Sequence, residues 1–259
     1  VLALLAKVRP GADTCATVPK AIIAPHAGYE YSGKVAGATF RAIKTNLGGT
    51  NAPETVVILG SSHRTPIDGV AVMDGDAIET PLGVIALDKA SSEFLTNGRQ
   101  RIRLNTAPHQ GEHSAENEIP FVQKALPEAK LVIALIGDHR SDTLAQVVAG
   151  LKDLAKTKRI LVVASSDMLH SPDYELVSRT DRQTLKKVAE LDTAGIVKEW
   201  SGDNQVFCGL LPVLAAMQFA ESQGCKAATV LQYRNSGDDD PASRGTWVVG
   251  YGAAAFAVP

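Results

Sequence analysis

Cysteine is scarce in this chain of 259 residues. There are three (Cys15, Cys208 and Cys225), odd in number and widely scattered. That argues against a disulfide framework, and a reduced, cytoplasmic setting is expected. Long apolar runs are also missing: no stretch approaches the roughly 20 residues that cross a bilayer, so no membrane partner is expected. The opening "VLALLAKVRPG" is too short for a signal core with its flanks and reads as the end of an amphipathic helix. There is no Lys/Arg tract, and a formal net charge of -2 gives nucleic acid no electrostatic footing. Linkers of Gly, Ser and Pro, low-complexity tracts and internal repeats are absent as well. One domain over residues 1–259 is therefore expected. The chain begins on valine, so its natural start is expected upstream.

What is present is ordinary globular composition, 45% hydrophobic and 21% charged, with length for a large core. Short β-branched runs alternate with helical patterns. "AIIAP" (21–25), "TVVILG" (55–60), "LVIALIG" (131–137) and "ILVVAS" (160–165) are continuously apolar, as strands covered on both faces are. Further strands are predicted at 69–73, 83–87, 228–233 and 246–256. Helices are predicted over 33–45 behind Ser32, 113–125, 141–156 with a Ser N-cap, 174–190 and 204–222. The acidic "SGDDDPASRG" (236–245) reads as a solvated loop. The economical fold is a three-layer α/β/α domain with a mixed central sheet.

The histidines fall in a pattern. Of six, four follow a predicted core strand: His26, His63, His139 (beside Asp138) and His170 (beside Asp167). Ligands of open α/β sheets bind at the carboxyl ends of strands, so parallel strands would bring these groups to one edge. A single such histidine is commonly a hydrogen-bonded loop residue; four together point to a metal or acid–base site. His109 and His113 share "APHQGEHSAENE" with Glu112 and Glu116. Cys208, in "NQVFCGLLP", reads equally as a buried small hydrophobe or as a thiolate activated at a helix N-terminus. Gly28 and Gly33 fit a sharp turn after His26, Tyr29 and Tyr31 fit a pocket mouth, and Ser61, Ser62, Ser165 and Ser166 could orient ligands from behind.

"APHAGYEYSGKVAG", "LGSSH", "GEHSAENEIPFVQ", "SSDMLH" and "FCGLLPV", in this order, resemble the Memo family, also called AmmeMemoRadiSam system protein B. The resemblance runs from about residue 20 to the C-terminus and lacks the family's N-terminal "FYP"-type motif. It implies a fold shared with class III extradiol ring-cleaving dioxygenases and a pocket holding one transition-metal ion, iron or copper first and zinc also admitted. The implied ligands are His26, His63 and Cys208, with Asp167, His170, Glu112 and His113 nearby. In a catalytic version His170 is the general acid or base, oriented by Asp167. Cys208 stands where those dioxygenases carry a carboxylate, which sets inherited ring cleavage in question. Two other readings follow from the family: a phosphopeptide-binding adaptor, with Arg64 and Arg140 at a basic rim, and a hydrolase or redox enzyme working with radical-SAM and AMMECR1-like partners. The expected ligand is a small molecule or peptide.

Overall fold

The computed structural model describes residues 18–258; Cys15 and the opening stretch read as a helix end lie outside them. In chain order the elements are β1 (Pro19–Ala24), α1 (Gly33–Asn46), β2 (Thr55–Ser61), β3 (Val70–Val72), β4 (Ala77–Thr80), β5 (Gly83–Ala86), α2 (Lys89–Thr96), β6 (Ile102–Leu104), α3 (Ile119–Ala125) and β7 (Lys130–Ile136). There follow α4 (Ser141–Ala155), β8 (Ile160–Ser165), β9 (His170–Ser171), α5 (Tyr174–Ala189), α6 (Thr193–Glu199), α7 (Leu210–Ser222), β10 (Ala228–Asn235), the single turn α8 (Ser236–Asp239) and β11 (Val248–Ala257).

The main sheet has the order β10-β11-β1-β8-β2-β7-β3-β6. Its centre, β1-β8-β2-β7, is parallel. Antiparallel β11 and β3 flank that centre, so the sheet is mixed as expected. Alternate side chains feed two cores. Ala21, Ile23, Val57 and Leu59 meet α4 and α7 on one face, whereas Ile22, Ala24, Val56 and Ile58 meet α1 and α3 on the other. Burial on both faces explains why these strands read as unbroken apolar runs rather than alternating ones. Phe40 of α1 stacks on Phe121 of α3 at 5.4 Å between ring centroids.

Several helix expectations shift. Ser141 is the first residue of α4 rather than its cap, a position held by Arg140. Ser32 does cap α1 by position, but its hydroxyl donates to the carbonyl of Ala27 (2.7 Å) and not to the helix. The helices predicted from 113 and 204 begin only at Ile119 and Leu210. The segments freed in this way are the ones that reach the site. The strand read at 83–87 pairs with β4 in a separate hairpin, and only Leu87 bridges to Leu131 of β7. The 236–245 loop contains α8, closed by a reciprocal Asn235–Asp238 capping box. Unanticipated α2 and α6 start behind Asp88 and Asp192, whose carboxylates accept from Ser91 and Gly195 backbone N–H groups.

Asp181 of α5 is fully buried. It accepts from the Leu169 N–H (3.2 Å) and the Tyr233 hydroxyl (2.9 Å). Burial raises its pKa to about 7, with those hydrogen bonds opposing. An unfolded aspartate ionises near 3.9. A raised folded pKa therefore contributes most stability below about pH 4, and that contribution is lost as pH rises to about 7. Asp181→Asn is isosteric: its amide oxygen can accept from the Leu169 N–H, and its NH2 then donates to the Tyr233 hydroxyl oxygen. The variant's stability should lie nearest wild type at about pH 3–4 and exceed it increasingly up to about pH 7, by at most about 4 kcal/mol. A difference independent of pH would contradict the buried ionisation.

Candidate metal centre

The parallel strands set the site. In register, Ala24 at the end of β1 lies beside Ser165 at the end of β8, and β2 pairs along the other side of β8. His26, Asp167 and His63 each stand two residues beyond their strand, so one sheet edge receives all three. Two glycines allow the remaining segments to close in. A Cβ on Gly60 would lie 2.6 Å from Ser114 Oγ, and one on Gly209 would lie 2.9 Å from the Ser165 carbonyl oxygen. Only bare backbone lets the 112–116 loop reach the end of β2 and the 206–209 loop reach the end of β8.

Ligand atoms of His26, His63 and Cys208 all lie within 4.8 Å of one another, as do those of His63, Glu112 and His113. The rings of His26, His63 and His113 form a triangle with centroid separations of 5.3, 5.4 and 5.6 Å. His26 is buried and turns Nε2 to within 3.5 Å of Cys208 Sγ. Nitrogen and sulfur ligands of one tetrahedral ion, at about 2.0 and 2.3 Å from it, stand about 3.5 Å apart. The donor set and spacing fit a transition-metal ion.

Hydrogen bonds fix each ligand from behind. Glu112, buried, accepts from four N–H groups: His63 backbone (2.6 Å), His63 Nδ1 (3.1 Å), His113 backbone (2.9 Å) and Ser114 backbone (2.9 Å). Burial alone would raise its pKa, but the bonds from His63 and Ser114 outweigh burial and hold it far below the usual range. An ionised carboxylate only accepts, so His63 carries a proton on Nδ1, which leaves Nε2 free of Glu112. Asp167 Oδ1 accepts from the His26 and Ala27 N–H groups (2.9 and 3.2 Å), tying the end of β1 to that of β8. The Cys208 N–H donates to the Asp167 carbonyl (3.2 Å). Ser166 Oγ accepts from Gly209 N–H (2.8 Å) and lies 3.6 Å from the sulfur.

Burial lowers the His26 pKa to about 3, helped by His63 and His113. Burial also raises Asp167 to about 6. The Cys208 thiol is pushed up to about 12, by burial first and Asp167 second. The expected lowering at a helix N-terminus does not occur. Cys208 precedes the Gly209 cap rather than sitting in the first turn of α7, and desolvation dominates.

Other expectations need correcting. No hydrogen bond joins Asp167 to His170: Asp167 Oδ1 takes the His26 and Ala27 N–H groups, and its link to His170 is through charge alone. His170 instead sits exposed in β9, edge-on to Trp247 at 6.1 Å. Asp138, at the end of β7, accepts from Arg101 (2.5 Å), Gly69 N–H and Thr143, and so is structural. His139 lies against Trp200 at 4.5 Å. His109 is buried with Nε2 on the Ala71 carbonyl (3.1 Å). Arg140 is held by Asp142 (3.0 Å). Neither Gly28 nor Gly33 has a positive φ; the turn closes through the Gly28 carbonyl, which accepts from Tyr31 and Ser32 N–H groups. Tyr31 is exposed, whereas Tyr29 packs on Phe121. Of the four serines, Ser165 and Ser166 support the site, while Ser62 donates to Thr65 within its own turn. Glu118 and Ser114 were not anticipated; Ser165 links both to His26, and the polar "SAENE" run was the available signal.

Two cavities flank the cluster. One of about 260 Å³ is lined by Cys208, Met168, His170 and Trp247. The other, about 440 Å³ and more apolar, is lined by Glu112, Tyr29, Met73 and Ile119.

The fold and site thus define an α/β protein whose parallel strands bring two imidazoles and a thiol together at their carboxyl edge. The family model described as "Memo-like protein" matches residues 2–255. A MEMO1 family protein of Methanopyrus kandleri is 31% identical over 247 residues, covering 94% of this chain and 85% of that protein. Another, from Nitrosopumilus maritimus, is 29% identical and covers 91% and 83%. The chain belongs to the Memo family. The crystal structure of an uncharacterized protein from Escherichia coli K12 superposes with a TM-score of 0.52 at 13% identity, over 90% of this chain and 98% of that one; this likeness concerns the fold. Among the described residues no helix is long and apolar enough to cross a membrane.

Glu112→Ala would strand three backbone N–H donors and the His63 ring proton. With about 1–3 kcal/mol for each buried orphan, urea unfolding of the metal-free protein should show a loss on the order of 3 kcal/mol or more. His113→Ala, at a side chain 45% exposed, should cost under about 1 kcal/mol. Equal costs would refute the bracing role of Glu112.

Proposed function

We propose that this chain is a metal-binding protein in which His26, His63 and Cys208 hold one transition-metal ion, with iron or copper favoured over zinc. The observation that carries the reading is that a ligand atom from each of His26, His63 and Cys208 lies within 4.8 Å of the other two, with His26 Nε2 3.5 Å from the sulfur. The neighbouring charges point the same way. Glu112 is ionised, the low pKa of His26 prevents it from supplying positive charge itself, and the charges acting most strongly on His26 come from other histidines and Glu112. Imidazole and thiolate together suit copper, zinc and iron.

A bound ion of this class would supply Lewis-acid or one-electron chemistry. The residues of this chain do the rest. Glu112 and Asp167 fix the ligand positions, and Cys208 forms one wall of the 260 Å³ cavity, whose size suits a small molecule or a single peptide side chain. His170, across that cavity and not a ligand, is the group placed to exchange a proton with whatever enters. We read the protein as a metal-dependent oxidoreductase candidate acting on such a ligand.

Elemental analysis of protein purified without oxygen or chelator tests this. Wild type and His170→Ala should carry close to one equivalent of metal per chain, and His26→Ala and Cys208→Ala much less than half. Undiminished metal in the last two variants, or none in wild type after reloading, would sink the assignment.

A further inference from the structure

Behind His26 lies a carboxyl group that neither set of ligand atoms includes. Glu118, in the short turn that leads into α3, is buried, and its Oε2 has no hydrogen-bond partner. Its Oε1 lies 3.0 Å from Ser165 Oγ. Ser165 Oγ also contacts the Ser114 carbonyl oxygen, and His26 Nδ1 at 3.1 Å. Three partners thus meet one hydroxyl.

A hydroxyl has one proton to donate and two lone pairs to accept with. The Ser114 carbonyl can only accept, so it takes the Ser165 proton. The other two partners must then donate: His26 through Nδ1–H, and Glu118 through a carboxylic O–H. An ionised Glu118 would compete with Ser114 for the single proton and leave a buried oxygen facing a lone pair. It would also leave a bare charge on Oε2 with nothing to receive it. Burial independently pushes Glu118 well above the ordinary range, against the Ser165 bond and with the Asp167 charge adding to it.

We propose that Glu118 is a neutral carboxylic acid whose proton, donated to Ser165, completes a network that holds His26 protonated on Nδ1 and bare on Nε2 toward Cys208. Glu118 is then a positioning residue, two hydrogen bonds removed from the ligand set. What the bare nitrogen serves rests on the metal reading above; the protonation pattern does not.

The test begins with metal-free protein. Infrared spectra at pH 7 with and without ¹³C-glutamate should show an acid carbonyl band that shifts with the label and disappears in Glu118→Gln. Nitrogen NMR of labelled histidine should find His26 protonated on Nδ1 in wild type and in Glu118→Gln, whose amide can still donate to Ser165. Ser165→Ala should give mixed tautomers. Absence of a label-sensitive acid band, or a proton on Nε2 of wild-type His26, would overturn the proposal without any variant having to fold. Zinc titration then reads the positioning role: Glu118→Leu should weaken binding roughly 10–100-fold, with Glu118→Gln close to wild type. Equal affinities in Glu118→Leu and wild type would overturn that role. Wild type that binds no metal would remove the metal reading, while the infrared band and the NMR shifts still decide this one.

Discussion

The carboxylate of Glu112 is buried at the end of the sheet with no lysine or arginine paired to it, held by four N–H donors instead. Much of the site depends on that arrangement. A buried charge without a counter-charge persists only when its lone pairs are filled. Filling them forces His63, His113 and Ser114 to wrap around one side chain, which bends the 112–114 backbone into a loop instead of the first turn of a helix. Gly60 is the other half of the constraint, because any side chain there would push that loop away from β2. Asp167 repeats the device between β1 and β8 with two backbone donors.

The consequence for the imidazoles is electrostatic. Three rings lie 5.3–5.6 Å apart at their centroids, and the most buried, His26, is held neutral down to about pH 3. A neutral imidazole offers a lone pair. The thiol of Cys208 stays protonated without an electrophile because burial and the nearby Asp167 both oppose its charge. The cluster is therefore rich in donor atoms and poor in positive charge, the inverse of a phosphate-binding cradle. Arg140, the basic group adjacent to one strand-end histidine, is already engaged by Asp142.

Strand positions were legible because burial on both faces of a parallel sheet writes itself as unbroken Val, Ile, Leu and Ala runs, and two of the strand-end histidines, His26 and His63, duly meet at one edge. His139 and His170 follow their strands by three and five residues and do not join them. Asp138 turns away to bind Arg101, and β9 carries His170 out to pair with β11. Neither diversion leaves a local signature, since each depends on a partner far along the chain. The apolar spacing of 113–118 and 204–209 is helical, yet the α-helices start later. Residues 116–118 form a short 3-10 turn, while the His113 and Ser114 N–H groups go to the neighbouring Glu112 carboxylate and those of Cys208 and Gly209 go to Asp167 and Ser166, far along the chain.

The same donor count bears on which chemistry the site inherits. His63, Glu112 and His113 have ligand atoms close enough to hold an ion, and a two-histidine, one-carboxylate set is the familiar arrangement for non-haem iron. Yet Glu112 Oε1 already takes three N–H donors, and Oε2 takes the His63 backbone N–H. Ligation through Oε1 would mean giving up at least one of those bonds and leaving a buried donor unpaired, at about 1–3 kcal/mol, whereas Oε2 keeps one lone-pair site. Cys208 has no such prior commitment: its sulfur meets only His26 Nε2 and the Ser166 hydroxyl, at 3.5 and 3.6 Å. The nitrogen–nitrogen–sulfur set thus leaves the support of His63 untouched. A thiolate in place of a carboxylate favours softer ions and is itself open to oxidation beside bound oxygen.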